Sequence, residues 1–283
     1  MQRFKIIHRT YYNYSNSVNL GPHSLLLRPR ENHELRIENF VLNITPKAKI
    51  LWHRDVEDNS VAIANFTQST QQLLIDSELI IQQYNESPLD FLVSSYAINY
   101  PFKYEDDDNL ILGAYRILPD EQTRKLLNNW IFNIYKINEE IQTYTLLQRL
   151  TTHIYKSFTY KIREESGVQS ANETLSLGTG SCRDFAYLFM EVVKCLGLAT
   201  RFVSGYLYAP LMSEQVGSTH AWAEVYVPGA GWIGFDPTIG NIVGKDHIAV
   251  AVSRLPNNIS PISGSFSGVA ISTLDVGVWV TLC

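Results

Sequence analysis

The chain has 283 residues, of which 45 % are hydrophobic and 12 % aromatic, and its formal net charge is −5 at pH 7. This composition excludes a mainly disordered chain, because disordered chains are poor in aromatic residues and rich in charge. The acidic balance also argues against a nucleic-acid-binding protein, which would present a basic surface. No apolar run reaches the roughly 20 residues of a transmembrane helix, so we expect no membrane partner.

The length and the cysteines narrow the class of protein further. At roughly 100–200 residues per domain, the chain is expected to form about two domains. The cysteines Cys182, Cys195 and Cys283 are too few for a disulfide framework and suit a reducing compartment. The N-terminus lacks the apolar stretch of a secretory signal. We therefore expect a cytoplasmic protein.

Residues 1–86 predict a β-rich domain. Apolar and polar residues alternate there, and turn residues separate the alternating runs. The expected strands cover residues 3–14, 35–44, 61–66 and 73–84. Several strands without a helical period favour a β-sandwich-like domain.

Residues 87–119 predict a linker between the two domains. They contain Pro88, Pro101 and Pro119, and also the acidic run Glu105–Asp108. A run of like charges is usually a solvated segment, so we expect an exposed loop here.

Residues 120–283 predict the second domain, in which helices precede strands. Helical spacing starts at Asp120, continues over 138–158 and returns over 182–196. Alternating strands are then expected at 200–208, 219–227, 232–236, 247–254 and 269–281. Helices followed by an antiparallel sheet give an α+β class.

Cys182 is the candidate nucleophile of this domain. A short loop with two glycines, Gly178 and Gly180, leads directly into the apolar helix that starts at Cys182. Free N–H groups and the positive end of the helix dipole favour a thiolate at that position. The same N–H groups could bind the oxyanion of an acyl-transfer intermediate.

His220 and Asp236 are the candidate base and orienting acid, since a cysteine nucleophile needs both. They lie on consecutive predicted strands, so the loop length decides whether they share a face. A four-residue loop over 228–231 would put them on opposite faces. A five-residue loop over 227–231, or an equivalent bulge, pairs Tyr226 with Trp232 and brings the two onto one face at roughly 7–8 Å. We predict the odd loop.

The order of these motifs resembles the transglutaminase-like superfamily. Four blocks carry the resemblance: Gly180–Ala186 (GSCRDFA), Ala199–Tyr206 (ATRFVSGY), His220–Val225 (HAWAEV) and Gly231–Thr238 (GWIGFDPT). The stretch Ser24–Arg30 (SLLLRPR), with Trp52, Asp55, Asn59 and Ala64–Phe66, resembles the β-rich domain that precedes the core in bacterial members. One departure is Asn257–Asn258, where the family pattern would have acidic residues.

The resemblance implies a papain-like α+β core and a catalytic triad. Cys182 is then the nucleophile, His220 the general base and acid, and Asp236 the residue that orients the imidazole. The implied chemistry is acyl transfer at a peptide or other amide through a thioester, as in a cysteine protease or amidase. Hydrolysis is favoured; transfer to an amine, as in a transglutaminase, stays open, and so does a non-catalytic binding or scaffold module.

Several residues are given non-catalytic interpretations. Cys195 is expected in the core, Cys283 at a frayed end, and neither a cofactor nor a metal site is expected. Tyr155 and Tyr160 are both left open as side-chain oxyanion donors, and the sequence leaves the oligomeric state open. The remaining histidines have no partners in motif spacing and are interpreted as packed or surface residues: His8, His23, His33, His53, His153 and His247.

Overall fold

The computed structural model describes residues 1–84, 89–136, 139–209 and 218–283. The N-terminal part forms six strands: β1 Gln2–Leu20, β2 His23–Leu25, β3 Leu35–Thr45, β4 Lys49–Arg54, β5 Ser60–Asn65 and β6 Ser69–Gln83. The middle forms β7 Asn99–Tyr100, α1 Asp106–Ile111, α2 Glu121–Ile131, β8 Ile141–Gln142, α3 Thr143–Ser157, β9 Thr159–Tyr160, α4 Ala171–Leu177, β10 Thr179–Gly180 and α5 Cys182–Cys195. The last part forms β11 Thr200–Leu207, β12 Ser218–Val227, β13 Gly231–Asp236, β14 Asn241–Ile242, β15 His247–Ser253, β16 Ile262–Ser263, β17 Phe266–Ser267 and β18 Ser272–Leu282.

Two antiparallel sheets build the N-terminal part. The first, called the N-terminal sheet, has β1 and β6 at its centre, β3 on one side and β17 and β18 on the other. The second has the order β16–β2–β5–β4. Alternating residues from both sheets form a shared buried cluster: Tyr14, Val18, Leu20, Leu25, Leu27, Ala62, Ala64, Leu73 and Ile75. The β-sandwich-like expectation is therefore confirmed.

The end of the chain returns to the N-terminal sheet. Strand β18 pairs with β1 along its length, from Phe4 opposite Leu282 to Tyr14 opposite Ser272. The expectation that residues 269–281 extend the sheet of the second domain is wrong, because alternation predicts a strand but not its partner. The predicted boundaries 1–86, 87–119 and 120–283 divide the chain by sequence, and these pairings cross that division.

The acidic run is the start of a helix and not a loop. Asp106, Asp107 and Asp108 occupy the first turn of α1, where carboxylates interact favourably with the positive end of the helix dipole. The segment also contributes to the core, because Tyr104 and Leu112 lie in the buried cluster that the helices and strands of the second half form.

The second half places α5 against a five-stranded antiparallel sheet, the site sheet, with the order β14–β13–β12–β11–β15. The predicted helix at 182–196 is confirmed as α5, which buries Phe185, Leu188 and Phe189. The helix predicted at 138–158 starts later, at Thr143, and its first predicted residue lies outside the described residues. The mixed helix and sheet class is confirmed.

The N-terminal sheet and the site sheet share a core. Phe4 and Ile6 of β1 pack in one buried cluster with Tyr206 of β11 and with Ile248 and Val250 of β15. Helix α5 and the N-terminal sheet therefore both cover strands of the site sheet. Among the described residues no helix is long and apolar enough to cross a bilayer.

Candidate active site

Cys182 is the first residue of α5 and is only 9 % exposed. The turn before it needs Gly180, because a Cβ there would lie 2.9 Å from Asp184 Cβ and 3.1 Å from Phe185 Cε1. Strand β9 pairs in parallel with β10, with Tyr160 opposite Gly180. These contacts hold the thiol at the start of a buried helix.

Asp184 fixes the loop that leads into α5. Its carboxylate accepts hydrogen bonds from Ser181 N and Oγ at 2.8 Å each, from Gln169 N at 2.7 Å and from Arg163 Nη1 at 2.6 Å. Burial alone would raise the pKa of Asp184, but these donors outweigh burial and lower it. The Asp184 carboxylate therefore supports the position of Cys182 from inside the protein.

The register of β12 and β13 is the predicted one. Tyr226 lies opposite Trp232, which confirms the odd loop, and the further pair of Val227 with Gly231 shortens that loop to 228–230. His220 and Asp236 consequently share a face. His220 Nε2 lies 2.6 Å from Asp236 Oδ2, with both residues buried.

The electrostatics of this pair favour a charged imidazole. Burial lowers the pKa of His220, but the charge and hydrogen bond of Asp236, together with the Cys182 side chain, raise it to about 10. Burial raises the pKa of Asp236, and the two histidines beside it lower it to well below its ordinary value. Because Nε2 of His220 is used by Asp236, Nδ1 is the ring nitrogen left for the sulfur.

The structure brings in one residue that the sequence analysis missed, His247. His247 is the first residue of β15, and the sequence predicts a packed or surface histidine without a partner. It is buried, as a packed residue would be, but the expected lack of a partner is wrong. His247 Nε2 lies 3.0 Å from Asp236 Oδ2, the same oxygen that His220 contacts. The one available signal was a polar residue opening an apolar strand.

Trp222 covers both histidines. Its ring centroid lies 6.3 Å from that of His220 and 5.2 Å from that of His247, where it makes an edge-on contact. Gly205 makes room for the indole, since a Cβ there would lie 2.7 Å from Trp222 Cη2 and 2.2 Å from Ile248 O. The glycine of the second motif therefore has a packing role beside the site.

The other two cysteines and the two candidate tyrosines differ in their surroundings. Burial raises the pKa of Cys195 to about 11, so this thiol stays protonated, and Cys283 is exposed at the chain end. Burial, and after it the charge of Cys182, raises the pKa of Tyr160 to about 12. Tyr155 instead packs its ring against Gly240. Of the two tyrosines, only Tyr160 adjoins the thiol.

A metal ion is the alternative occupant to consider here. His220, Asp236 and His247 each offer a ligand atom, and these atoms lie within 4.8 Å of one another. A ligating histidine normally donates its other ring N–H to an acceptor. At His247 the other nitrogen, Nδ1, faces the N–H of Gly244 at 3.3 Å, so it accepts a hydrogen bond. This donor pattern fits a hydrogen-bonded carboxylate and not a metal site.

Two family models match the chain in the order found in the structure. Residues 4–82 match the bacterial transglutaminase-like N-terminal region, and residues 135–237, which include Cys182, His220 and Asp236, match the transglutaminase-like superfamily. The chain belongs to the transglutaminase-like superfamily.

Its relatives extend the likeness to the full length. The uncharacterized protein Rv2569c of Mycobacterium tuberculosis is 28 % identical over 299 residues, covering 98 % of this chain and 91 % of the relative. The uncharacterized protein ML0607 of Mycobacterium leprae is 35 % identical over 122 residues, 41 % of this chain and 43 % of the relative. A crystal structure of a candidate cysteine protease from Cytophaga hutchinsonii superposes with a TM-score of 0.74 at 18 % identity, covering 99 % of this chain and 90 % of that one. At that identity the likeness establishes the fold.

Proposed function

We propose that this transglutaminase-like protein is a thiol-dependent amide hydrolase with Cys182 as nucleophile, His220 as general base and acid, and Asp236 as the orienting residue. The observation that carries the proposal is the buried contact of His220 with Asp236 at 2.6 Å beside a cysteine that starts a helix. A buried ionised carboxylate lowers stability unless it is paired and hydrogen-bonded, and a role in catalysis accounts for keeping such a pair in the core. A Cys–His–Asp arrangement supplies that role.

The mechanism follows from the positions of the three groups. The Cys182 thiol gives its proton to His220, and the sulfur forms a bond to the amide carbonyl carbon. The imidazolium of His220 then protonates the leaving amine as the C–N bond breaks, which leaves a thioester. His220 next takes a proton from water, the hydroxide displaces the sulfur, and the products are a carboxylic acid and the restored thiol.

Asp236 supports both proton transfers at His220. Because its carboxylate stays ionised, it stabilises the imidazolium, and its bond to Nε2 directs Nδ1 toward the sulfur. The oxyanion of each intermediate would be met by the Cys182 backbone N–H at the start of α5 and by the Tyr160 hydroxyl. The raised pKa of Tyr160 means that its phenol keeps its proton and can donate it.

Transfer to an amine is the second candidate, and family membership is the observation that favours it. The first half of the reaction is identical, and only the acceptor of the acyl group differs. A buried, charge-coupled triad argues against the third candidate, a binding module with an inactive site, because such a module would gain nothing from it.

The test begins with thiol chemistry. We expect iodoacetamide at pH 6 to alkylate Cys182 at least about tenfold faster than Cys283, as measured for each cysteine peptide by mass spectrometry. A Cys182→Ala variant should lose hydrolysis of p-nitrophenyl acetate and of any peptide found in a fluorogenic library. Cys195→Ala is the matched control and should retain both.

Two outcomes would redirect the proposal. If Cys182 reacts no faster than Cys283, or if Cys182→Ala keeps its activity, the enzyme assignment is lost. If a labelled alkylamine is incorporated faster than water is, amine transfer replaces hydrolysis as the function.

A further inference from the structure

Asp236 accepts hydrogen bonds from two histidines and one backbone amide. Oδ2 lies 2.6 Å from His220 Nε2 and 3.0 Å from His247 Nε2, and Oδ1 accepts from Thr238 N at 2.8 Å. All of the carboxylate is buried. The proposed triad uses only the contact with His220, so the contact with His247 needs its own explanation.

The surroundings of His247 settle which of its ring nitrogens carries the proton. The side chain is 4 % exposed, and Gly244 N donates to Nδ1 at 3.3 Å. Since Nδ1 accepts, the proton of the neutral ring lies on Nε2, which donates to Asp236 Oδ2. His247 is thereby fixed as a neutral donor at the oxygen that also serves His220.

We propose that His247 is a positioning residue that acts through Asp236: it donates a hydrogen bond that keeps the buried carboxylate ionised and its Oδ2 aligned with His220. The inference rests on the proposed function, because it assigns a role within that same site. A neutral donor suits this place, since a second cation would compete with His220 for the carboxylate. His247 itself touches neither substrate nor sulfur in this scheme.

Removing the donor has a defined electrostatic sign. The N–H of His247 points its positive end at a cluster of titrating groups, so its loss raises the proton affinity of that cluster. Within the described residues, Asp236 interacts with His220 from β12, His247 from β15 and Tyr160 from β9, and Cys182 from α5 interacts with His220. Loss of this donor should consequently move the pH profile of the site to higher pH.

The experiment compares two substitutions of nearly equal length. His247→Gln keeps an N–H donor near the position of Nε2, whereas His247→Met removes it. The readout is the rate of iodoacetamide alkylation of Cys182 from pH 4 to pH 10 in the full chain, with Cys283 as internal reference. For His247→Met we expect the acid limb to rise by about one pH unit and the rate at its midpoint to fall several-fold. His247→Gln should restore most of the wild-type profile.

The results distinguish a failure of the role of His247 from a failure of the proposed function. Wild-type Cys182 reacting no faster than Cys283 would overturn the proposed function. Two other results would overturn only the role of His247. In the first, wild-type Cys182 is alkylated fast and the pH profile of His247→Met is unshifted. In the second, His247→Gln is alkylated as slowly as His247→Met. If the Met variant does not fold, His247→Asn, whose amide is one carbon shorter, takes its place. Protection of wild-type Cys182 by Zn²⁺, reversed by EDTA and lost in His247→Met, would favour a metal site instead.

Discussion

The position of Tyr160 beside Cys182 distinguishes it from the other candidate oxyanion donor, Tyr155. Tyr160 lies opposite Gly180, two residues before the nucleophile, and its ring centroid is 6.4 Å from that of Phe185. Burial is the main cause of the raised pKa of the phenol, and the nearby charge of Cys182 adds to it. Tyr155, on α3, packs against Gly240 instead. The structure therefore separates two tyrosines that the sequence left equal.

We expect Tyr160→Phe to lower kcat for p-nitrophenyl acetate by about 10²-fold, because one oxyanion donor is removed while the thiol is untouched. Alkylation of Cys182 by iodoacetamide, which forms no oxyanion, should keep its wild-type rate. Tyr155→Phe is the matched control and should leave both rates unchanged. Equal losses of hydrolysis and alkylation in Tyr160→Phe would instead indicate a disturbed nucleophile.

The residues of the site differ in how visible they are in the sequence. Cys182, His220 and Asp236 lie in three of the four ordered motifs, with glycines and aromatic residues around them, so the sequence predicts that they meet. His247 lies outside these motifs, and a lone histidine at the start of a strand does not indicate which residue it contacts. Its contact with Asp236 depends on the order of strands β13, β12, β11 and β15, which no local pattern reveals.

At the scale of elements, the start of α5 depends on one buried ion pair. Asp184 is fully buried, and the side chain of its partner Arg163 is 17 % exposed. The same arginine lies 3.5 Å from Glu165, whose side chain is 74 % exposed. Arg183 adds backbone contacts, donating to Arg163 O at 3.1 Å and to Glu165 O at 3.0 Å. The loop before Cys182 is thus tied to the segment after β9.

Asp184→Asn should destabilise the protein by about 3 kcal/mol, because it removes the buried one of the two carboxylates that pair with the largely buried guanidinium of Arg163. Urea denaturation at pH 7 measures the change in the free energy of unfolding. Glu165→Gln alters the exposed carboxylate beside the same arginine and should change stability by less than about 0.5 kcal/mol. Similar losses in the two variants would contradict the importance of burial.

Element boundaries show where the sequence pattern has limits. The helix at 182–196 was predictable because its apolar residues recur at helical spacing after a glycine loop. Helix α4 was not predicted, since it spans only Ala171–Leu177, although Ser170 and Glu173 form the capping box that marks its start. The prediction of a loop at the acidic residues of α1 was wrong, because charge alone does not distinguish a loop from the first turn of a helix.

For the whole molecule, the decisive contacts join residues far apart in the chain. Phe4 and Ile6 share a buried cluster with Val278 and Val280 of β18, and with Tyr206 and Ile248 of the site sheet. Hydrophobic alternation identifies each strand, but pairing partners are set by packing between distant segments. For this reason the fold class was predictable and the return of the chain end to β1 was not.

The buried side chain of His8 makes the stability of this shared core depend on pH. Its Nδ1 lies 3.0 Å from the Tyr206 hydroxyl, across the junction of the two sheets, and burial lowers its pKa from 6.5 to about 4. Between these values the unfolded chain binds a proton that the folded chain does not, so this histidine destabilises the folded state as the pH falls. His8→Asn keeps a hydrogen-bonding group near Nδ1 and lacks the titration. From pH 7 to pH 5 we expect the stability of wild type relative to His8→Asn, from urea unfolding, to fall by about 2 kcal/mol. A difference that does not depend on pH would show that His8 is solvated in the folded protein and that the junction is open.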